Sequence, residues 1–517
     1  MLDLLTWSYA AWGPDGRDDG AAGVTVADPG GVDIELHRPV EMVALRWSRA
    51  MPAGVRVLGD HWERGYGDLE WHGCSPERVL PWYVLTLDQS TGSLWGAGVK
   101  TGAGSFASWR VDEGGVTLVL DVRCGGRAVT SLGRVVHACD IVQLESLPGE
   151  SPFAFAHRLC GALCPSPRMP SSPVYGGNDW YHRYGNITAS TVKVDAANIG
   201  ALATSATNRP FFVIDAGWFG SRGCDGGPYT HGHDGFPDMP GLAGYIEGIG
   251  VKPGIWMRPL LTTDDVPQSW RMPTDHPLAN GKHVTLDPSV PETVHLVKQD
   301  IARLAGWGYK LIKHDFTTYD ITGRWGFEMG NGITRGGWSF ADTARTTAEI
   351  VRDFYAALRE AAGDVMLIGC NTVGHRAAGL FELQRTGDDT SGRHWERTRK
   401  MGINTLAFRM PQHGAFFAAD ADCVGITGSV PWHLNSQWLQ LLAHSGTPLF
   451  VSAHPDALGE PQRDALRAAF AIAAEPQAAM EPLDWLHTTC PHRYRQGTST
   501  LAFNWLDYTG SALPCPG

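Results

Sequence analysis

The sequence predicts a multidomain α/β plus β protein, with a central (β/α)8 TIM barrel between an N-terminal β-sandwich and a small C-terminal β domain. Two patterns carry this prediction. Short β-like runs separated by Gly-rich turns fill residues 1–165, and from residue 174 apolar runs of strand length alternate with helical periodicity. The 517 residues, 43% hydrophobic and 19% charged, are enough for about two to four domains.

The first 165 residues are predicted as a β-sandwich because no long helical period interrupts their strand-like runs. A segment rich in Pro and Ser follows at residues 164–173 and is typical of a linker. The runs are 33–37, 42–47, 82–87, 116–122 and 141–147.

Residues 174–475 are predicted as the barrel because they offer eight candidate strands. The clearest helical period is 341–363, which ends at Gly363. A parallel barrel places the carboxyl ends of its strands on one face, where barrel enzymes have their active sites. Residues 476–517 are predicted as a C-terminal β appendage. The candidate strands are 174–181, 210–218, 251–257, 309–315, 365–371, 382–388, 404–410 and 447–453.

Composition excludes several classes of partner. The formal charge of −12, without a run of Lys or Arg, disfavours nucleic acid and anionic membranes. No stretch reaches about 18 apolar residues, and no signal-peptide pattern opens the chain, so we expect a cytoplasmic protein without membrane spans. The ten Cys form no CxxC pair and are expected to be reduced. A homo-oligomer is left open.

The 20 Trp exceed ordinary usage, which hints at carbohydrate binding, because flat aromatic faces stack on sugar C–H faces. Filling of large cores explains them equally well.

Polar residues follow several candidate strands. Carboxylates from strands four and six would face each other across the barrel mouth, and two opposed carboxylates are what glycoside hydrolysis requires. Lys313 would keep Asp315 ionised. From these residues alone, a buried Lys–Asp pair that only closes the strand is an equally good interpretation. The strand ends are Asp215–Trp218 for strand two, Lys313–Asp315 for four, Cys370–Asn371 for five and Arg385–Asp389 for six.

Taken together, these segments resemble the clan D α-galactosidase families of glycoside hydrolases over residues 174–475, family 36 more closely than family 27. Lys313-His314-Asp315 is similar to the family's Lys-x-Asp, and Thr386-Gly387-Asp388-Asp389 to its Thr-Ser-Asp-Asn. Residues 214–219 are similar to Leu-Asp-Asp-Gly-Trp-Phe, and residues 236–256 to the Phe-Pro…Gly-Leu-Trp segment before strand three.

The resemblance implies a retaining glycoside hydrolase that cleaves an α-galactoside or related galacto-like glycoside by double displacement. Asp315 would be the nucleophile and Asp388 the acid/base, with Asp389 as the alternative for the second role. The substrate would be an oligosaccharide or glycoside, with no cofactor and no metal. Substrate-binding residues implied are Trp180, Asp215, Trp218, Trp256, Arg258, Lys313, Cys370, Asn371, Arg385 and Asp389.

Three departures from the family pattern leave the sugar open. Ala216 replaces a second Asp, Arg258 replaces a Glu, and residues 371–376 differ from the family's Ser-Gly-Gly-Gly-Arg. A site that loses buried hydrogen-bond partners for one sugar discriminates against it. A β-L-arabinopyranoside, another galacto-like unit, or an anionic sugar facing Arg258 competes with galactose.

Two rival interpretations remain. His231, His233 and Asp234 are residue types that bind metals, although the surrounding Gly and Pro favour a plain loop. A sugar-binding protein without catalysis is the other class, and the presence of both Asp315 and Asp388 argues against it.

Overall fold

The structure, a computed structural model, describes residues 2–4, 6–220, 226–330 and 332–505. Its N-terminal part consists of two six-stranded antiparallel sheets that share one hydrophobic core. The strands are β1 (Ser8–Gly13), β2 (Gly16–Arg17), β3 (Ala22–Ala27), β4 (Gly31–Leu36), β5 (Met42–Ser48), β6 (Arg56–Gly59), β7 (Leu80–Pro81), β8 (Tyr83–Leu87), β9 (Leu94–Val99), β10 (Phe106–Asp112), β11 (Gly115–Asp121) and β12 (Val135–Glu145).

The two sheets have the strand orders β2-β1-β5-β11-β10-β7 and β3-β4-β12-β9-β8-β6. The five predicted runs are β4, β5, β8, β11 and β12. In β5 fully buried residues alternate with more accessible ones, because successive side chains of a strand point to opposite faces.

One helix was not predicted in this part. Helix α1 (Pro152–Leu163) begins after Ser151, whose hydroxyl accepts the amide of Ala154 at 3.2 Å. Its apolar face packs on β9, where Gly96 leaves no room for a Cβ, since Leu159 and Phe155 would lie 2.9 and 3.1 Å from it. A helix therefore covers one face of the second sheet.

The second part is a curled parallel sheet of nine strands. Its strands are β13 (Tyr175–Asn178), β14 (Phe211–Ile214), β15 (Lys252–Met257), β18 (Leu311–His314), β19 (Met366–Gly369), β20 (Leu383–Arg385), β21 (Ala418–Asp420), β22 (Cys423–Ile426) and β23 (Leu449–Ala453). Between β15 and β18 lies an antiparallel pair, β16 (Leu261–Thr262) and β17 (Val284–Thr285).

The order in this sheet is β21-β20-β19-β18-β15-β14-β13-β23-β22. The two end strands, β21 and β22, are separated by only two residues of the chain, so the ends of the sheet come together. Every residue of β14 is buried, as expected where both faces of a parallel sheet are covered.

Helices connect the parallel strands. They are α2 (Trp180–Arg183), α3 (Ala189–Leu202), α4 (Met239–Gly248), α5 (Pro291–Gly306), α6 (Thr317–Thr322), α7 (Thr347–Ala362), α8 (Gly374–Ala377), α9 (Trp395–Arg397), α10 (Thr405–Arg409), α11 (Trp432–Ser445) and α12 (Glu460–Ala473). The predicted helix 341–363 is α7, which begins later because Thr346 and Glu349 form a capping box and ends at Gly363.

The predicted seventh strand, 404–410, is wrong. Residues 398–404 form a π-helical segment that continues into α10, and Leu406 and Phe408 are buried as part of that helix. After this helix the sheet continues with β21 and then β22. The break between them is at Asp422, which has φ = 71°. The Asp422 carboxylate accepts the amide and hydroxyl of Thr390, at 2.8 and 2.9 Å, and so holds the break.

The C-terminal part contains a three-stranded antiparallel sheet. Its strands are β24 (Glu481–Pro482), β25 (Arg493–Gln496) and β26 (Ser499–Ala502), within the predicted β appendage. Residues 506–517 of that appendage lie outside the described residues. No helix within the described ranges is long and apolar enough to cross a membrane.

Candidate active site

A cavity of 390 Å³ lies at the carboxyl ends of the parallel strands. This volume is within the range of small-molecule sites. Four carboxylates and two cations contribute to its wall, together with a set of aromatic rings. The lining residues are Arg64, Tyr66, Trp180, Asp215, Ala216, Trp256, Lys313, Asp315, Phe316, Trp325, Phe327, Asp388 and Asp389.

Asp315 follows directly on β18 and is 8% exposed. Its Oδ1 accepts the backbone amides of Phe316 at 2.8 Å and Asn371 at 3.1 Å. Its Oδ2 accepts the indole N–H of Trp256 at 3.1 Å. Three donors from three segments therefore fix the orientation of this carboxylate.

The surroundings of Asp315 keep it ionised. Burial alone would raise the pKa of its carboxyl, but the charges of Lys313 and Arg64 and the hydrogen bond from Trp256 more than offset this, and the pKa lies below its ordinary value. An ionised carboxylate in a cavity is equipped to act as a nucleophile.

The backbone immediately after Asp315 is in an unusual conformation. Phe316 has φ = 62°, in the left-handed region that bulky residues rarely adopt. The guanidinium of Arg258 stacks on the Phe316 ring, 4.3 Å from its centroid. Backbone strain of this kind is often found at functional sites.

Asp215 and Lys313 form a buried ion pair on the cavity wall. The Lys313 ammonium donates to Asp215 Oδ2 at 2.7 Å, and Asn178 donates to the same oxygen at 2.6 Å. Burial would lower the pKa of Lys313, but Asp215 raises it well above the ordinary value. Lys313 thus binds Asp215 directly, while its effect on Asp315 is through charge alone.

Asp388 is held between two arginines. Its Oδ1 pairs with Arg64 at 3.0 Å and its Oδ2 with Arg397 at 2.8 Å, and the side chain is 23% exposed. The adjacent Asp389 pairs instead with Arg385 at 3.2 Å. Burial would raise the pKa of Asp389, but Arg385, Arg64 and Lys313 lower it below the ordinary value.

Part of the site comes from the N-terminal sheets, which the sequence did not indicate. Residues 60–66 follow β6 and extend to the cavity, where Arg64 and Tyr66 form part of the wall. Glu63 is 1% exposed and accepts the side-chain amide of Asn371 at 2.5 Å and the backbone amide of Gly326 at 2.9 Å. Glu63 therefore ties two loops of the parallel-sheet region to the N-terminal part.

The same loop pairs with the segment that carries Asp388. The Gly65 amide donates to the Thr386 carbonyl at 2.8 Å, and the Asp388 amide to the Gly65 carbonyl at 3.2 Å. A Cβ on Gly387 would lie 1.9 Å from the carbonyl oxygen of Met401. Only glycine fits there, which accounts for Gly387 where the resembled family has Ser.

Aromatic residues from the segment between β18 and α7 complete the wall. Trp325 stacks on Tyr319 with centroids 4.4 Å apart, and Phe327, which is 63% exposed, meets the ring of Tyr66 edge-on at 5.0 Å. Neither Trp325 nor Phe327 was predicted, because the segment lacks the period of a strand or helix.

Comparison with solved structures finds α-galactosidases. One from Thermus thermophilus, in complex with p-nitrophenyl α-D-galactopyranoside, is 18% identical with a TM-score of 0.63 and covers 93% of this chain and 95% of its own. A family 36 enzyme from Geobacillus stearothermophilus, in complex with 1-deoxygalactonojirimycin, is 13% identical with a TM-score of 0.58 and covers 89% of this chain and 66% of its own. This chain has the fold of the family 36 α-galactosidases. No family model and no curated protein matches its sequence.

The α-galactosidase fold brings seven of the twelve predicted site residues to the cavity wall: Trp180, Asp215, Trp256, Lys313, Asp315, Asp388 and Asp389. The other five lie outside the wall. They are Trp218, Arg258, Cys370, Asn371 and Arg385.

Two of these five bond to residues of neighbouring segments. Trp218 is fully buried, and its indole donates to the carbonyl of Trp256 at 2.9 Å. Arg258 forms a two-pronged pair with Asp320, at 3.0 and 2.6 Å. The charge of Arg258 is thus compensated by a carboxylate of the chain itself.

Of the remaining three, Asn371 and Arg385 contact carboxylates of the wall, and Cys370 contacts Arg385. Asn371 donates its amide to Asp315, and Arg385, 1% exposed, reaches Asp389 and also Asp422 at 3.2 Å. Cys370 is buried, and its sulfur accepts from Arg385 at 3.3 Å.

The histidines of residues 230–235 are hydrogen-bonded to nearby backbone and side-chain atoms. His233 contacts the carbonyl of Gly217 at 3.0 Å through Nε2 and the amide of Gly235 at 2.9 Å through Nδ1, and His231 contacts Thr230. Within the described ranges no group of three His, Cys, Asp or Glu side chains is placed to hold a metal ion.

Proposed function

We propose that this protein is a retaining glycoside hydrolase that cleaves an α-galactoside or a related galacto-like glycoside. The observation that carries the proposal is the buried, ionised Asp315 on the wall of a cavity that also presents Asp388 and Asp389. The fold shared with the α-galactosidases supports it.

We infer that the curled sheet is a (β/α)8 barrel whose seventh strand is split at Asp422. β21 pairs with β20, and β22 pairs with β23, so together they occupy one strand position. The corresponding domain division is a sandwich over 1–165, the barrel over 174–475 and the appendage over 476–517.

In the first chemical step, Asp315 attacks the anomeric carbon while Asp388 protonates the departing glycosidic oxygen. The bond from carbon to the leaving oxygen breaks, and an ester bond to Asp315 forms. In the second step Asp388 takes a proton from water, the water oxygen attacks the anomeric carbon, and Asp315 leaves as a carboxylate. Two inversions give net retention.

Asp388 is favoured over Asp389 as the acid/base. Both carboxylates pair with arginines, Asp388 with Arg64 and Arg397 and Asp389 with Arg385, so the ion pairs do not separate the two candidates. Asp388 stands at the position that matches the family motif, and this match favours it.

Four further wall residues would bind the sugar. Asp215 and the Lys313 ammonium are placed to contact hydroxyl groups, and Trp180 and Trp256 to pack on the ring. Ala216 stands on the wall where a carboxylate would grip a galactose hydroxyl, so a sugar such as a β-L-arabinopyranoside remains a competitor. The hypothesis of an anionic sugar at Arg258 loses its basis, because Asp320 already neutralises that guanidinium.

The test is an assay of purified protein on p-nitrophenyl glycosides: α-galactoside, α-N-acetylgalactosaminide, β-L-arabinopyranoside, α-glucoside and α-fucoside. We expect one to be cleaved, Asp315→Ala to abolish the cleavage, and the first-formed anomer in NMR to be the retained one. An inverted product or an active Asp315→Ala would refute the mechanism. Binding of a sugar without turnover would favour a non-catalytic sugar-binding protein.

A matched pair of variants assigns the acid/base. Asp388→Ala should lose far more activity on a substrate with a poor leaving group than on a dinitrophenyl glycoside, which needs no protonation, and azide should restore its turnover. Asp389→Ala, one residue away, should affect both substrates alike. The reverse result would give the role to Asp389.

A further inference from the structure

Tyr66, Trp325 and Phe327 form an aromatic cluster at one side of the cavity, and the proposed mechanism gives it no role. Phe327 is 63% exposed, the highest value among the large apolar side chains in the described ranges. Single exposed apolar residues are common on protein surfaces. This one differs because it lines a cavity in contact with a second aromatic ring, that of Tyr66.

The cluster lies on the same side as the proposed acid. The Arg64 guanidinium pairs with Asp388 at 3.0 Å and stands over the Trp325 ring, 5.7 Å from its centroid. Tyr66 is two residues further along the same loop. One cation thus connects the carboxylate that would protonate the leaving oxygen with the aromatic wall.

The leaving group must occupy this side. In a double displacement the acid contacts the glycosidic oxygen, and that oxygen belongs to the leaving group. The sugar undergoing attack lies towards Asp315 and the Asp215–Lys313 pair. None of the three rings carries a charge, so the surface offered to the leaving group is flat and apolar, with only the hydroxyl and indole N–H as polar edges.

We propose that Tyr66, Trp325 and Phe327 form a leaving-group subsite that selects glycosides whose aglycone presents a flat apolar face, either an aromatic ring or the C–H face of a second sugar. This inference rests on the proposed hydrolase function and extends it to the aglycone. The N-terminal part of the chain supplies one of the three rings, so it shares in substrate selection.

The experiment compares leaving groups on one sugar. Substrates are p-nitrophenyl α-D-galactopyranoside, melibiose and α-D-galactopyranosyl fluoride, or the same set on the sugar that the panel identifies. Fluoride has no ring to stack, so it serves as the internal reference. Variants are Phe327→Ala, Phe327→Trp as a conservative replacement, and Tyr245→Ala, which removes an aromatic ring that is 38% exposed on α4, as the control.

We expect Phe327→Ala to raise KM for the ring-bearing substrates by about five- to tenfold, the size of one stacking contact, and to leave the fluoride unaffected. Phe327→Trp should keep KM near the wild-type value, and Tyr245→Ala should leave KM unchanged for every substrate. A KM that rises for the aryl substrate alone identifies an aromatic aglycone, and a KM that rises for melibiose identifies a sugar. An equal rise for the fluoride, or an unchanged KM for every substrate, overturns the subsite.

The two proposals fail separately. Activity that survives Asp315→Ala refutes the hydrolase mechanism whatever Phe327 does. If wild type cleaves nothing, tryptophan fluorescence titration with p-nitrophenyl and methyl α-D-galactopyranoside decides: tighter binding of the aryl glycoside that Phe327→Ala removes supports the subsite, and equal binding overturns it.

Discussion

The indole of Trp256 offers a direct way to change the charge state of Asp315. Its N–H donates to Asp315 Oδ2 at 3.1 Å, and both residues are buried. Trp256→Phe keeps an aromatic ring and removes the donor. A hydrogen bond to a charged group contributes about 1.5–3 kcal/mol, and about 1.4 kcal/mol corresponds to one pKa unit. We therefore expect the pKa of Asp315 to rise by about one to two units.

The assay is the pH dependence of kcat/KM on the aryl glycoside that wild type cleaves. In the proposed mechanism Asp315 must be ionised to attack, so its titration would set the acidic limb, and Trp256→Phe should move that limb to higher pH by about one to two units. Trp180→Phe is the matched control, since the Trp180 indole lines the cavity and donates to no carboxylate within the described ranges. An acidic limb that stays in place while kcat/KM falls would refute the reasoning.

Three further predictions concern buried charges. Lys313→Met leaves Asp215 as an uncompensated buried anion and should cost about 3–5 kcal/mol, whereas Lys310→Met, in an exposed pair, should cost under about 1 kcal/mol; equal melting temperatures would contradict this. Burial raises the pKa of Asp420 to about 6, so its ionisation opposes folding above that pH, and Asp420→Asn should raise the melting temperature more at pH 8 than at pH 5. Burial lowers the pKa of four histidines to about 3 or 4, so below pH 6.5 the unfolded chain binds protons that the folded chain does not. Their joint contribution to the unfolding free energy should fall by about 5 kcal/mol for each unit by which the pH is lowered near pH 5, and a flat profile in denaturant titrations would exclude this. These histidines are His276, His314, His375 and His413.

The sequence was informative where local patterns determine structure. A parallel strand covered on both faces reads as a short apolar run, and runs such as 211–214 and 311–312 therefore identify strands. Polar residues after those runs mark the strand ends, which is why Asp315 and Asp388 could be expected at one cavity. The split seventh strand escaped prediction because β21 and β22 are three and four residues long and are interrupted by Asp422.

Contacts between distant segments escaped prediction for a different reason. Arg64 and Asp388 are far apart in the chain, and no local period relates them. One signal was present: about 20 residues separate β6 from β7, and a long loop rich in charged and aromatic residues is uncommon within a sandwich unless it has a function. For Arg258 the motif led to a substrate-binding prediction that the structure does not support. Its guanidinium is neutralised by Asp320 and lies outside the cavity wall.

If the proposed activity is confirmed, the loop of residues 60–66 makes catalytic turnover a reporter of domain assembly. A fragment that starts at residue 174 would retain Asp315 and Asp388 but would lose Arg64, which pairs with Asp388. It would also lose Glu63, which accepts the side-chain amide of Asn371. Because the cavity wall takes residues from both parts, turnover would require the N-terminal part to be docked on the parallel sheet.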